Sequence, residues 1–210
     1  MNILITGFEP FAKDEINSSW ESVKLLPNEL KGNNIYKVLI PVVFNVDKLI
    51  ENIKKYSPDI IILVGQAGGR TGITIERVAI NLDDAIIPDN NNYQPVDNTI
   101  KLDGENAYFS TLPVKAIINN LKDNDIEARI SYTAGTYVCN HVMYNTLYYI
   151  NKNNLDIKAG FIHVPYLPIQ TMDKPSMKIE DIVKGLLSII ETTIDYKEKE
   201  DSKIIGGTIY

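Results

Sequence analysis

The residues best suited to covalent chemistry in this sequence are one cysteine and two histidines, Cys139, His141 and His163. A thiolate is a strong nucleophile, but the thiol needs a base to take its proton. His141 lies two positions after Cys139, and side chains two apart on a helix point in different directions. His163 is therefore the candidate base, and this pair predicts nucleophilic catalysis by a cysteine.

Cys139 follows a turn that contains Gly135 and stands where a helical pattern begins, at residues 139–150. Unpaired N–H groups and the dipole at a helix N-terminus favour an anion. We therefore expect a lowered pKa for the thiol and backbone donors for an oxyanion. The alternative is a small buried apolar residue with no chemical role.

A catalytic histidine usually needs a carboxylate to orient it, and Glu76 is the candidate. In an extended chain Glu76 shares a face with Val78 and Ile80, and a carboxylate among aliphatic side chains requires a partner. The alternatives are a surface glutamate and a simple ion pair with a lysine or an arginine. Asp89 and Asp103 are weaker carboxylate candidates.

The elements that must position these residues alternate between strands and helices. Apolar runs predict strands at 3–6, 38–41, 60–64, 128–132 and 160–164, and helical periodicity predicts helices at 20–26, 46–56, 114–121, 139–150 and 179–194. Parallel strands need crossover connections, so this order predicts a three-layer α/β/α sandwich with a mostly parallel, twisted central sheet.

The predicted sheet suggests how the cysteine and the base meet. His163 lies near the end of the strand at 160–164, and Cys139 follows the strand at 128–132. Ligands of open α/β sheets bind at the carboxyl edge, so we expect both residues at that edge. A core histidine with satisfied nitrogens is the alternative for His163.

Two aromatic residues, Phe8 and Phe11, follow the first strand. If they face a cleft beside Cys139 they form an apolar slot for a small flat group, with Asn17 and Gln66 on its polar rim. The alternative is that both rings simply pack in the core.

The glycine-rich turn at 65–70 offers a different function, because its N–H groups could hold an anion. It has neither the Walker spacing nor a Gly-x-Gly-x-x-Gly series, so its nucleotide signal is weak. A nucleoside phosphorylase-like enzyme, or a non-catalytic small-molecule binding protein of the same layout, is the alternative function.

Composition restricts the remaining possibilities. The 210 residues, 44% hydrophobic with a net charge of -6, predict one globular domain at 1–196 with a flexible tail at 197–210 and no nucleic-acid partner. A single cysteine and no secretory or membrane-spanning segment predict a cytoplasmic protein. The polar stretch at 83–104 is too long for a simple connection, so we expect a functional or oligomer-facing loop.

Four blocks of the sequence together resemble the pyrrolidone-carboxylate peptidases, also called pyroglutamyl peptidase I. They are ITGFEPF at 5–11, VGQAGGR at 64–70 continuing to ERVAIN at 76–81, SYTAGTYVCNH at 131–141, and GFIHVPY at 160–166. The resemblance implies hydrolysis of an N-terminal pyroglutamyl residue from peptides through a thioester. It implies a Cys-His-Glu triad on Cys139, His163 and Glu76, no metal or organic cofactor, and often a homotetramer.

The resemblance also implies a substrate pocket. Gln66 and Asn17 line it beside the two phenylalanines, and Tyr137 with Val138 forms its back wall. Two positions depart from the family pattern, because phenylalanine is usual where Tyr137 stands and many members have an arginine where this chain has Ile86.

Overall fold

The central strands carry apolar side chains on both faces, which is the pattern of strands covered by helices on both sides. A computed structural model describes residues 1–209. Its strands are β1 (Asn2–Phe8), β2 (Glu29–Leu30), β3 (Asn33–Ile40), β4 (Ile60–Gln66), β5 (Ile73–Glu76), β6 (Val78–Ile80), β7 (Ala107–Phe109), β8 (Ala128–Ser131) and β9 (Lys158–Val164). Its helices are α1 (Ser18–Val23), α2 (Asp47–Tyr56), α3 (Val114–Asp123), α4 (Val138–Lys152) and α5 (Ile179–Asp195), with a short 3-10 helix at Pro168–Gln170.

Seven of these strands form the main sheet in the order β2-β3-β1-β4-β9-β5-β8. The strands β3, β1, β4 and β9 run parallel to one another. β5 pairs antiparallel with β9 and parallel with β8, so the last two strands run against the main direction. β6 and β7 form a separate antiparallel pair. At the other edge β2 pairs antiparallel with β3, so the sheet is mostly parallel, with reversed strands at both edges.

Alternation along the strands divides the core into two layers. On one face Ile62 and Ile75 pack with residues of α1, α3 and α5, and on the other Leu63 and Phe161 pack with residues of α2 and α4. Burying these side chains stabilises the fold by roughly 1.5–3 kcal/mol for each large one. None of the helices in the described part of the chain has the length and apolar character that a membrane crossing needs.

The predicted fold class is confirmed, since the sheet is covered by helices on both faces. All five predicted helices are present, and their observed ends differ from the predicted ones by at most a few residues. The predicted strands lie within or overlap β1, β3, β4, β8 and β9. The short strands β2, β5, β6 and β7 were not predicted, because pairing with neighbours rather than a long apolar run defines them.

The strand that carries Glu76 is shorter than the predicted extended stretch. β5 ends at Glu76, and Arg77 turns the chain out of the main sheet into β6. Val78 and Ile80 therefore belong to the small sheet. The prediction that they share a face with Glu76 is wrong. Within β5 the carboxylate lies on the same face as Thr74, opposite Ile75.

The segment after α5 contacts the domain at several points. Asp201 accepts hydrogen bonds from the N–H groups of Lys115 (3.0 Å) and Ala116 (2.9 Å), in the first turn of α3. The hydroxyl of Tyr132 donates to the carbonyl of Gly206 at 2.7 Å. The division into a domain and a flexible tail from residue 197 stays a prediction.

Asp201 supplies a cap that α3 lacks locally, because the residue before that helix is Pro113 and its side chain makes no capping bond. We expect Asp201→Ala to lower stability by about 1 kcal/mol, the usual value of a lost N-cap. Thermal denaturation should show a Tm about 2–4 °C lower. Glu200→Ala, next to it and exposed, is the control, and equal Tm values for the two variants would contradict the capping role.

Candidate active site

The central pair of the site is formed by Glu76 on β5 and His163 on β9. These strands are antiparallel neighbours, with Thr74 directly opposite His163, so the Glu76 side chain reaches the imidazole diagonally on the α4 face. His163 Nδ1 lies 2.7 Å from Glu76 Oε1. Both side chains are buried, with 4% of His163 and none of Glu76 exposed. The structure therefore brings the predicted base and the predicted carboxylate together.

Burial and charge decide the protonation of this pair. Burial opposes ionisation of Glu76, but its hydrogen bond to His163 and the charges of His163 and Arg70 lower its pKa below the ordinary value. Burial lowers the pKa of His163, and the Glu76 carboxylate only partly offsets it. A neutral imidazole facing a carboxylate must carry its proton on Nδ1. Nε2 is then left with a lone pair that can accept a proton.

Cys139 is the second residue of α4, after Tyr137 in extended conformation at the N-cap. The N–H groups of Val138 and Cys139 stand in the first turn of α4, where a helix offers them no backbone acceptor. The thiol is half-buried. Space for it depends on Gly65, since a Cβ there would stand 3.2 Å from Sγ and 2.7 Å from the ring of Phe161.

The protonation of Cys139 differs from the prediction. Burial raises the pKa of this thiol to about 12, and the negative charge of Glu76 acts in the same direction. Arg70 and the backbone N–H of Cys139 oppose the rise without cancelling it. The prediction of a lowered pKa is wrong, because one end of a helix does not outweigh the loss of water around the sulfur.

Cys139 and His163 line the same cavity, as predicted. The reason predicted for this, that both follow the carboxyl ends of strands at one edge of the sheet, is wrong. β8, the strand before Cys139, runs opposite to β9, so the carboxyl ends of the two strands lie at opposite edges. The segment 132–137 leads the chain from the end of β8 to the start of α4. No hydrogen bond among the described residues joins Sγ to the imidazole, so what the two groups share is the lining of the cavity.

The cavity has a volume of about 330 Å³, and Thr133 and Gly135 are among the residues that line it. Its lining includes every residue that the sequence suggested for a substrate pocket: Phe8, Phe11, Asn17, Gln66, Tyr137 and Val138. Phe8 is also part of the hydrophobic core, so this ring both packs in the core and lines the cavity. Phe11 and Tyr137 lie with ring centroids 6.3 Å apart. The cavity is thus mainly aromatic and apolar, next to the sulfur.

The amide side chains on the cavity wall are already bound to protein. Asn17 caps α1 by accepting from the N–H of Ser19 (3.1 Å), and it donates to the carbonyl of Glu9 (2.9 Å). Gln66 Nε2 donates to Asp14 (2.7 Å), while its oxygen accepts from Gln170 (2.8 Å) and the N–H of Ser18 (2.8 Å). These bonds hold the wall in one shape.

The loop at 83–104 supports the wall of the cavity from outside. The hydroxyl of Tyr137 donates to the carbonyl of Pro88 at 2.9 Å, so the extra oxygen relative to phenylalanine binds this loop. Thr136 exchanges two hydrogen bonds with Asp84. Ile86 is 93% exposed, which puts the other departure from the family pattern in solvent.

The remaining carboxylates and the second histidine lie outside the cavity. Asp89 binds three backbone N–H groups, including that of Phe44, and so shapes the long loop. Asp103 is on the surface, bound to Tyr148 and Lys152. His141 pairs with Asp83 at 2.7 Å. Their geometry gives them structural roles.

Sequence reasoning did not single out Arg70, although it lines the cavity. Its Nη1 lies 2.6 Å from Glu76 Oε1 and also donates to the hydroxyl of Thr74. Arg70 follows Gly69 in the glycine-rich turn. Gly69 has φ +94°, a backbone conformation that favours glycine, and this turn places Arg70 next to β5. The only sequence signal was an arginine six residues before a buried glutamate.

Comparisons with known proteins agree on one family. A family model described as pyroglutamyl peptidase matches residues 1–196. A pyrrolidone-carboxylate peptidase of Clostridium perfringens is 50% identical in an alignment of 214 residues that covers 100% of both chains. The structure of the pyrrolidone carboxyl peptidase from Thermococcus litoralis has a TM-score of 0.94 and 40% identity, and covers 97% of this chain and 99% of its own. Pyroglutamyl peptidase I from Bacillus amyloliquefaciens gives a TM-score of 0.94 at 44% identity, with the same coverage.

The lowered pKa of His163 predicts a loss of stability in acid. Unfolded chains take up a proton on this imidazole near pH 6.5, whereas the folded protein binds it only at lower pH, so stability falls as the pH drops below about 6.5. For one proton the slope is about 1.4 kcal/mol per pH unit. In His163→Gln this contribution disappears, and urea unfolding at pH 8 and pH 5.5 should give closer midpoints than in the parent protein.

Cys139→Ala is the control for that experiment, because it removes a neighbour of His163 and leaves the imidazole in place. Its midpoints should depend on pH as those of the parent do. An unchanged dependence in His163→Gln would show that the buried imidazole is not the group that titrates.

Proposed function

The chain belongs to the pyroglutamyl peptidase family, a family of cysteine peptidases, and from that membership we propose that it removes the N-terminal pyroglutamyl residue from peptides with Cys139 as nucleophile. His163 is the base and Glu76 orients it. One observation carries the assignment: the sulfur and the Glu76-bound imidazole open onto the same aromatic cavity.

The first half of the proposed reaction is acyl transfer. Nε2 of His163 takes the proton of the Cys139 thiol as Sγ attacks the carbonyl carbon of the pyroglutamyl–peptide bond. The oxyanion that forms is held by N–H groups at the start of α4, those of Val138 and Cys139. The imidazolium then gives its proton to the leaving amine nitrogen, the C–N bond breaks, and a thioester remains on Cys139.

Hydrolysis of the thioester completes the cycle. Nε2 of His163 takes a proton from a water molecule as the oxygen of that water attacks the thioester carbon. The C–S bond breaks, the sulfur recovers the proton, and free pyroglutamate leaves. In both halves the imidazolium is transient, and the carboxylate of Glu76, 2.7 Å from Nδ1, stabilises it.

The character of the cavity supports the substrate class. A pyroglutamyl group is a flat five-membered lactam without the positive charge of an ordinary N-terminus, so it fits a slot between aromatic rings. Phe11 and Tyr137, whose ring centroids are 6.3 Å apart, line the cavity together with Phe8. We assign lactam binding to these rings and to the polar wall at Asn17 and Gln66.

The setting of the enzyme is also a proposal. We expect a cytoplasmic location, because the lone thiol of Cys139 works only while it is reduced. We expect a homo-oligomer, a tetramer by family resemblance, and the exposed apolar side chains of Ile86 and Leu102 on the long loop are compatible with a contact surface there.

Replacement of the nucleophile tests this function. Cys139→Ala and His163→Ala should each reduce release of a dye from a pyroglutamyl amide by about 10³-fold or more, because each removes a partner of the same proton transfer. His141→Ala is the matched control, a histidine paired with its own carboxylate outside the cavity, and should retain activity if it folds. Turnover at the parental rate by Cys139→Ala would exclude the nucleophile.

The aromatic slot has its own test. Phe11→Ala should raise KM for the pyroglutamyl amide about tenfold or more, because loss of a ring contact removes roughly 1.5–3 kcal/mol of apolar burial. Phe109→Ala is the control, since that ring is 65% exposed and outside the cavity. Steady-state kinetics on both variants measure the effect, and an unchanged KM in Phe11→Ala would remove this ring from the slot.

A further inference from the structure

The buried carboxylate of Glu76 has two donors on one oxygen. Oε1 lies 2.7 Å from His163 Nδ1 and 2.6 Å from Arg70 Nη1. The other oxygen, Oε2, is buried and has no partner within hydrogen-bond geometry in residues 1–209. The Ser131 hydroxyl on β8, which donates to the carbonyl of Thr133, also helps to lower the pKa of this carboxylate. The position of Oε1, and with it the orientation of the imidazole, therefore depends on Arg70 as well as on His163.

The charge of Glu76 also depends on Arg70. A fully buried carboxylate is costly unless a cation compensates it, and a neutral imidazole does not. Arg70 is the only Lys or Arg among the described residues that forms a salt bridge with Glu76. Without it, the pKa of His163 should rise, because the charge of Arg70 acts together with burial against the imidazolium.

We propose that Arg70 is a positioning residue that acts through Glu76 to keep His163 oriented and neutral as the base. This inference rests on the proposed function, because it assigns a role within the same reaction. Arg70 reaches the pair from the turn after β4, and its other contact, with Thr74, is to the residue directly opposite His163. The guanidinium thus binds two side chains of β5 on the face that carries the pair.

The charges around the imidazole determine in which direction the pKa of His163 should move when Arg70 is replaced. The titratable and charged groups that face His163 are Glu76 from β5, Arg70 from the turn after β4, and the thiol of Cys139 from α4. The charge of Glu76 raises the pKa of His163, and the charge of Arg70 lowers it. Removing Arg70 leaves the carboxylate unopposed, so the imidazole should become protonated at a higher pH.

The test is the pH dependence of kcat/KM on a pyroglutamyl amide. In Arg70→Gln the acid side of the profile should move to higher pH by about one unit, and kcat should fall about ten- to hundredfold. Arg70→Lys keeps the charge and should leave the acid side near that of the parent. Arg77→Gln, an arginine paired with Asp201 instead, should leave the profile unchanged. An unmoved acid side in Arg70→Gln, or the same shift in Arg70→Lys, would overturn the proposal.

A double-mutant cycle keeps the test valid if Arg70→Gln folds poorly. In the Glu76→Gln background no buried carboxylate is left to compensate, so adding Arg70→Gln should change kcat less than twofold. A further tenfold loss there would mean that Arg70 does not act through Glu76. An inactive parent protein would instead reject the peptidase function itself, so the two failures are distinguishable.

Discussion

A carboxylate without water must be compensated, and the site of this protein follows from that constraint at Glu76. No part of this residue is exposed, and its oxygen Oε1 takes donors from both His163 and Arg70. Burial of His163, together with the charge of Arg70, keeps the imidazole neutral, with its proton on Nδ1. A neutral imidazole with a free Nε2 is what a buried, protonated thiol requires as a base. In the proposed mechanism, Cys139 therefore becomes a thiolate only when its proton moves to His163.

The fold meets this constraint with few elements. Two antiparallel strands, β5 and β9, hold Glu76 and His163 on one face of the sheet, and α4 presents Cys139 to that face. Gly65 leaves the space that the sulfur occupies, and Gly69 allows the turn that brings Arg70 back to the pair. The glycine-rich turn that could have bound a phosphate instead helps to build the wall of the reaction cavity.

Much of this arrangement could be predicted from the sequence, because few residues can do the chemistry. With one cysteine and two histidines, the pairing of Cys139 with His163 followed almost by enumeration. Apolar runs do not reveal the direction of a strand. The prediction that Cys139 and His163 lie at one carboxyl edge of the sheet was therefore wrong, although both residues line the cavity. Arg70 and the high pKa of the thiol depend on burial by distant segments, which no local pattern reveals.

The state of the His163 ring at neutral pH is the most direct test of this account, and nitrogen and proton NMR of ¹⁵N-histidine-labelled protein measures it. The chain has two histidines, so a His163→Gln variant assigns the signals. We predict an unprotonated Nε2 and a low-field proton on Nδ1 that disappears in Glu76→Gln. Protons on both nitrogens at pH 7, or a proton on Nε2 alone, would contradict the claim that a compensated carboxylate keeps this base neutral.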